Sequence, residues 1–237
     1  MKKHIFKYII EFLVVVTGII LSINIEKNRA LDYKNELKDQ SLRRLAVNIQ
    51  QDISDSKINR DIYLKGLNAC SRVLNSSEEL FKYDKDSLGY YLNAIYISGT
   101  IFIDNQEEYL TLRNSGFLEL IESDSLVTAI QNKYSYHEFY KKVETFIRNI
   151  NDQLTNIVDK KVSFKSAGKG AIIGNYGTYI HKKGLSNKEL NVIKRKQEIL
   201  EFYLPMIKHS IESDSILIEK IKNEIKWELI KNNYIWT

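Results

Sequence analysis

The sequence predicts an all-α protein: an N-terminal transmembrane helix continuing into a long stalk, then an up-down helical bundle. Three observations carry that expectation. One proline and ten glycines in 237 residues leave little material for the tight turns of a sandwich or barrel. Residues 8–25, YIIEFLVVVTGIILSINI, contain a single charged side chain, Glu11. No proline or glycine occurs between Leu21 and Lys65, where Leu42, Leu45, Ile49 and Ile53 recur at offsets of three and four.

The apolar segment comes first. At the helical rise, eighteen residues span roughly 27 Å, close to the hydrocarbon thickness of a bilayer. Lys2, Lys3 and Lys7 precede it; Glu26, Lys27 and Arg29 close it. A cleavable leader needs small residues at a cleavage site after its apolar core. Here Ser22, Ile23, Asn24 and Ile25 lead directly into a charged helical stretch, so an uncleaved single-pass anchor is expected. A core helix would show a polar face, yet 12–21 is apolar all round apart from Thr17 and Gly18. The leading lysines favour a cytoplasmic amino terminus. Long domains translocate largely regardless of charge, which places the large domain on the far side of the inner membrane, in the periplasm.

The expected division is 1–29 for the leading segment and anchor, 30–76 for a helical stalk, and 77–237 for the bundle domain. The net charge of +5 suggests nucleic acid until it is divided. Residues 1–29 hold five Lys/Arg against two acids, leaving 30 against 28 in the remainder. The nearest approach to a basic face is Lys194-Arg195-Lys196 with Lys182, Lys183 and Lys188, and Glu189 and Glu198 interrupt it. No nucleic-acid partner is implied. Cys70 is the only cysteine, so it has no intramolecular partner and says nothing about redox compartment.

The helical pattern is expected to run out of the bilayer as one rod to about Ser76, with a phase shift near 54–56. Residues 87–98 read as a tyrosine-rich helix ended by Gly99, and 100–104 as a packed loop. Asn105 is the expected N-cap of a helix over 106–114, with Glu107 and Glu108 at the positive end of its dipole. Asn114-Ser115-Gly116 supplies a left-handed C-cap. A turn or two follows over 117–122. From Asp124 a long helix runs to about Lys161, with Val143, Phe146, Ile150, Leu154 and Ile157 as its buried stripe. Residues 164–184 form the only glycine-rich loop. Ser186-x-x-Glu189 is a capping box opening the last helix, whose inward face is Leu190, Ile193, Leu200, Leu204, Ile207 and Ile211, continued by Ile218, Ile221, Ile225 and Leu229. Pro205 is expected to kink it.

Two segments, KYIIEFLVVVTGIILSINIEKN and YLTLRNSGFLELIESDSLVTAIQNKY, resemble an uncharacterised family of bacterial single-pass membrane proteins carrying a domain of unknown function. Glu11, Gly18, Ile19 and Asn24 fit the family's anchor pattern, although Thr17 stands where an aliphatic residue is usual. Tyr109, Leu112, Ser115, Gly116, Leu118 and Ile121 fit its Tyr-x-x-Leu-x-x-Ser-Gly turn segment. The family often has a tryptophan soon after the membrane helix, where this chain has Glu26-Lys27-Asn28. The match covers about a quarter of the chain. It implies a membrane-anchored helical protein and carries no activity with it.

The candidate residues follow from these two segments. Glu11 is an ionisable group inside a membrane-type helix, which is costly unless paired or wet; it marks either a helix–helix contact or an interfacial carboxylate beside Lys7. Gly18 and Ser22 form a small-xxx-small pair that lets two such helices approach. Tyr109, Leu112, Ser115 and Gly116 make a structural turn motif. His4, His137, His181 and His209 lack metal-ligand spacing, and Gly168-Lys169-Gly170 lacks the hydroxyl residue and preceding strand of a phosphate loop. Tyr134, Tyr136 and Tyr140 could stack on a ligand or serve the core and rim. No nucleophile stands beside a base, and no catalytic, cofactor or metal residue is assigned.

The expectation is therefore a membrane-anchored, non-enzymatic helical protein acting through protein–protein contacts, as scaffold, sensor or accessory subunit. Its expected partners are the lipid bilayer and a second copy or another membrane protein. The alternative is an oligomerising, membrane-perturbing effector, toxin-like or defensive, assembled through Glu11, Gly18 and Ser22.

Overall fold

Helix α1, Lys2–Tyr83, runs for 82 residues and is the longest element of the computed structural model. The structure describes residues 2–103, 105–165 and 176–225, with the backbone alone for 2–9, 165 and 176. Then come α2 (Lys85–Ile97), α3 (Glu107–Asn114), a 3-10 turn (Phe117–Leu120), α4 (Asp124–Lys161), β1 (Val162–Lys165), β2 (Tyr176–Tyr179) and α5 (Asn187–Glu224). The protein is predominantly helical, as the scarcity of glycine and proline implies.

The predicted rod is present as one helix. It leaves helical geometry at Ser76 (φ −137°, ψ 19°), the residue where the rod was expected to end, and then continues to Tyr83. Among the described residues no helix is long and apolar enough to cross a membrane. The described side chains of the predicted anchor start at Ile10, and those of Tyr8 and Ile9 lie outside the described residues. The transmembrane assignment is therefore not part of the observed fold.

The chain divides into two compact units, Met1–Val47 with Gln106–Val127 and Ile221–Thr237, and Asn48–Asn105 with Thr128–Lys220. In the first unit, Leu42, Leu45, Leu112, Ile121, Leu126, Ile221 and Ile225 are buried. Glu108 ties α3 to α1, accepting from Ser41 Oγ at 2.7 Å and pairing with Arg44. Lys38 reaches Glu224 at 3.7 Å, and the same carboxylate accepts the backbone N–H of Glu122 at 2.8 Å.

In the second unit three long helices share two apolar clusters. Cys70, Val73, Leu88, Leu92, Leu154, Val158 and Ile193 belong to one; Tyr63, Val143, Ile147, Leu200, Tyr203 and Ile207 belong to the other. Cross-helix partners give the directions. Lys161 meets Glu189, Asn151 meets Lys196 and Lys133 meets Asp214, so α4 and α5 are antiparallel. Ser71 meets Gln197 and Tyr63 meets Tyr203, so α1 and α5 are antiparallel too. Helices α1 and α4 therefore run the same way. This departs from strict up-down order, because the connection from Asp84 to Ser123, with its own two helices, returns the chain before α4 begins.

Several local expectations move. The cap of α3 is Gln106, not Asn105, and its side chain makes no capping bond. The cap of α4 is Ser123, not Asp124: its hydroxyl accepts the N–H of Leu126 at 3.2 Å. Phe146 is 62% exposed, and Ile147, one residue along and closer to the axis of the stripe, is buried in its place. The glycine-rich stretch contains a two-stranded antiparallel sheet, Val162 opposite Tyr179 and Phe164 opposite Gly177, so the expected loop is a hairpin at its described ends. Residues 166–175, including Gly168-Lys169-Gly170, lie outside the described residues, as does Leu229. The hairpin packs on α2: a Cβ at Gly89 would stand 2.1 Å from the carbonyl oxygen of Gly177. The capping box forms as read, with Ser186 N–H donating to Glu189 Oε2 at 2.7 Å and Glu189 N–H to Ser186 Oγ at 3.4 Å. Helix α5 runs through Pro205 without being divided.

Candidate functional site

The predicted membrane-helix residues lie on the first part of α1. Glu11 is exposed. Ser22 Oγ donates to the Gly18 carbonyl at 2.9 Å, a bond within the helix that occupies the hydroxyl one turn back. Among the described residues, nothing comes within 4 Å of where a Gly18 Cβ would stand. The surrounding large side chains are open on every side of the helix, with Phe12 67%, Val14 66% and Val15 60% exposed.

The four residues of the turn motif lie on α3 and at its C-terminal end. Ser115 N–H donates to the Thr111 carbonyl at 3.0 Å. Gly116 takes the left-handed conformation, φ 72°, and leads into the 3-10 turn. Leu112 is fully buried, and the Arg113 guanidinium lies 5.7 Å from the centroid of the Tyr109 ring. The motif shapes the chain and brings no reactive group together.

The polar chemistry of the second unit sits where no motif marked it. Lys133 Nζ on α4 stands 2.9 Å from Asp52 Oδ2 on α1 and 2.8 Å from Asp214 Oδ2 on α5, with all three side chains at most 5% exposed. Burial pushes both carboxyls above the usual carboxylate range, against the pull of the Lys133 ammonium. Asp52 raises Asp214 further, as like charges in a poorly solvated site must. Asp52 also accepts a backbone bond from Asn105. His137, one turn beyond Lys133, is buried edge-on against Tyr134 and Phe102.

Beside this triad a cavity of about 330 Å³ opens between α4 and α5. Lys133 and Asp214 line it, together with Tyr136, Tyr140, Ile216 and Leu217. Of the predicted tyrosine cluster, Tyr134 is core, whereas Tyr136 and Tyr140 face the cavity.

Two further polar groups are interior. Glu144 Oε1 accepts from Tyr203 OH and from the Phe102 N–H, each at 2.9 Å. Burial, reinforced by the Glu144 carboxylate, holds the Tyr203 hydroxyl protonated far above its usual range. Lys196, with no measurable exposure, donates to the Ser98 carbonyl and to Asn151 Oδ1, each at 2.6 Å. Burial drives its ammonium down to about 7. The neighbouring Cys70 thiol is pushed up to about 12, again by burial, and is inert as a nucleophile.

No group of three or more His, Cys, Asp or Glu among the described residues is arranged to hold a metal ion. His181 Nδ1 is engaged with the Lys183 backbone, and His209 Nε2 lies 3.4 Å from Ser213 Oγ. The buried charges share a readable signal that the sequence pass left unused. Asp52, Lys133 and Asp214 each sit on an apolar stripe, three residues after Ile49, Ile130 and Ile211. Charges of opposite sign at such positions are a pattern for an interior ion network. No family model, no curated protein and no solved structure matches this chain.

Proposed function

We propose that the chain is a membrane-anchored, non-enzymatic helical protein whose folded part works through protein–protein contacts, as a scaffold or sensor. The observation that supports it is the open apolar surface of residues 10–25. Ten large aliphatic or aromatic side chains there are 46–67% exposed on all sides of one helix. At roughly 1.5–3 kcal/mol per large side chain removed from water, covering them supplies on the order of ten kcal/mol or more. A helix apolar all round belongs in hydrocarbon or among other helices. Tyr8 and Ile9 extend the run to the eighteen residues that suit a bilayer core. The lysines before it favour a cytoplasmic amino terminus and a periplasmic domain. Membership in the resembled family of bacterial single-pass proteins belongs to the same proposal.

Cell fractionation tests this reading. The full chain is expected in the membrane pellet after an alkaline carbonate wash, with the membrane potential of expressing cells unchanged. Recovery in the supernatant would overturn the anchor. Depolarisation abolished by Glu11→Leu would overturn the scaffold and favour the oligomerising effector.

A further inference from the structure

Helices α4 and α5 together carry an exposed apolar seam. Tyr136, Phe139 and Phe146 on α4, with Phe202 and Ile216 on α5, are 45–62% exposed. Phe139 and Phe146 are seven residues apart, two helical turns, so they share one stripe of α4. Arg195, Phe202, His209 and Ile216 form the matching stripe of α5, again at steps of seven. The register of the antiparallel pair sets the two stripes level. Arg195 donates to Gln153 Oε1 at 2.9 Å. One heptad from that bond stand Phe146 and Phe202, two heptads away Phe139 and His209, three heptads away Asn132 and Ile216. Asn132 and Ile216 both line the α4–α5 cavity, so the register holds along the seam, roughly 30 Å at the helical rise. Five large side chains, each about half exposed, leave on the order of 500 Å² of apolar surface in water, within the range that marks an interaction site.

The matched levels make this surface self-complementary, which is what a two-fold contact requires. A rotation about an axis parallel to α4 and α5 and midway between them sets α4 of one copy against α5 of the other without shifting any level. Phe146 then meets a phenylalanine, Phe139 a histidine and Gln153 an arginine. Aromatic pairs occupy the centre, and the Gln153–Arg195 level forms a polar rim at one end. Two copies bring about 1,000 Å² from these side chains alone, the lower bound for a specific interface before the rim is added. We infer that the exposed face of α4 and α5 is a homodimer interface in which Phe146 of each copy packs on the partner's Phe202. The inference rests on the protein–protein part of the proposed function. It does not require the anchor, and Glu11, Gly18 and Ser22 take no part in it.

Sedimentation equilibrium of the full chain in density-matched non-ionic detergent tests it. The wild type is expected to dimerise with a dissociation constant of about a micromolar to ten micromolar, as a small interface allows. Phe146→Glu and Phe202→Lys, both at exposed positions, should keep the helical circular dichroism and each weaken the dimer at least about tenfold, as loss of a central aromatic anchor does. Mixing the two variants should restore dimers, because each glutamate then faces a lysine and the remaining pair is two phenylalanines. Gly18→Leu, in the membrane-type helix, should leave the equilibrium unchanged. A wild type that stays monomeric at about 100 micromolar would overturn the interface. So would undiminished dimerisation of folded Phe146→Glu, or a mixture no more dimeric than its components. Loss of the dimer in Gly18→Leu would place the contact in the first part of α1 and overturn it too. Failure of the anchor would appear in the fractionation and leave this equilibrium as it is.

Discussion

Lys196 Nζ donates to Asn151 Oδ1 across 2.6 Å, joining α5 to α4 at a point where Lys196 has no measurable exposure. Uncharged oxygens, those of Asn151 and the Ser98 backbone, are the acceptors it uses among the described residues, so dipoles solvate its charge there.

That arrangement makes stability depend on alkaline pH with a definite sign. The folded ammonium releases its proton at about 7, whereas the unfolded one holds it to 10.5. Between those values the unfolded chain binds more protons, so stability rises with pH through the window. Below it both states are charged and the full burial penalty applies. Urea melts at pH 7 and pH 10 should show the wild type gaining stability from this group, and Lys196→Met should remove that gain. An identical rise in both proteins would show that Lys196 is not its source.

Lys133 is the member of the ion triad whose loss costs most. Lys133→Met leaves Asp52 and Asp214 buried without their cation, a change of about 3–5 kcal/mol in such settings. Asp214→Asn leaves one carboxylate paired with one ammonium and should cost much less. Chemical denaturation of the two variants gives the order directly; an equal loss would mean the triad is not electrostatically coupled.

Much of the helical frame was legible because the chain obeys local rules. The Ser186–Glu189 box, the left-handed Gly116 and the break at Ser76 all appear where short-range chemistry places them. What was missed depends on distant partners. Each strand has four residues, and Gly177 and Lys165 dilute the β signal, so only the approach of Gly89 to Gly177 explains the pairing and its site. Asp52, Lys133 and Asp214 are polar interruptions when seen singly and become a site only when three helices meet. The parallel course of α1 and α4 was hidden because a long connection carries no directional signal of its own.

Gly116 and Gly89 should fail for different reasons. At Gly116 the φ of 72° is the constraint, and among the described residues nothing lies within 4 Å of where a Cβ would stand. Gly116→Val should therefore cost about 1–3 kcal/mol through backbone strain, and Gly116→Asn much less. At Gly89 the constraint is space, because any Cβ meets the Gly177 carbonyl. Even Gly89→Ala should cost about 1–3 kcal/mol. Thermal melts of the three variants decide it: tolerance of alanine at 89, or equal losses for valine and asparagine at 116, would contradict this division.

Vesicle flotation tests the central claim, that residues 8–25 hold the protein in a membrane, most directly. The full chain reconstituted with lipid vesicles should float with them through a density gradient after high-salt and alkaline washes. The same chain lacking residues 1–29 should stay at the bottom. Val15→Arg, a charge at mid-segment worth roughly 2.5–3.5 kcal/mol against insertion, should shift part of the protein downward. A full chain that remains at the bottom, or a truncated chain that floats equally well, would contradict the account.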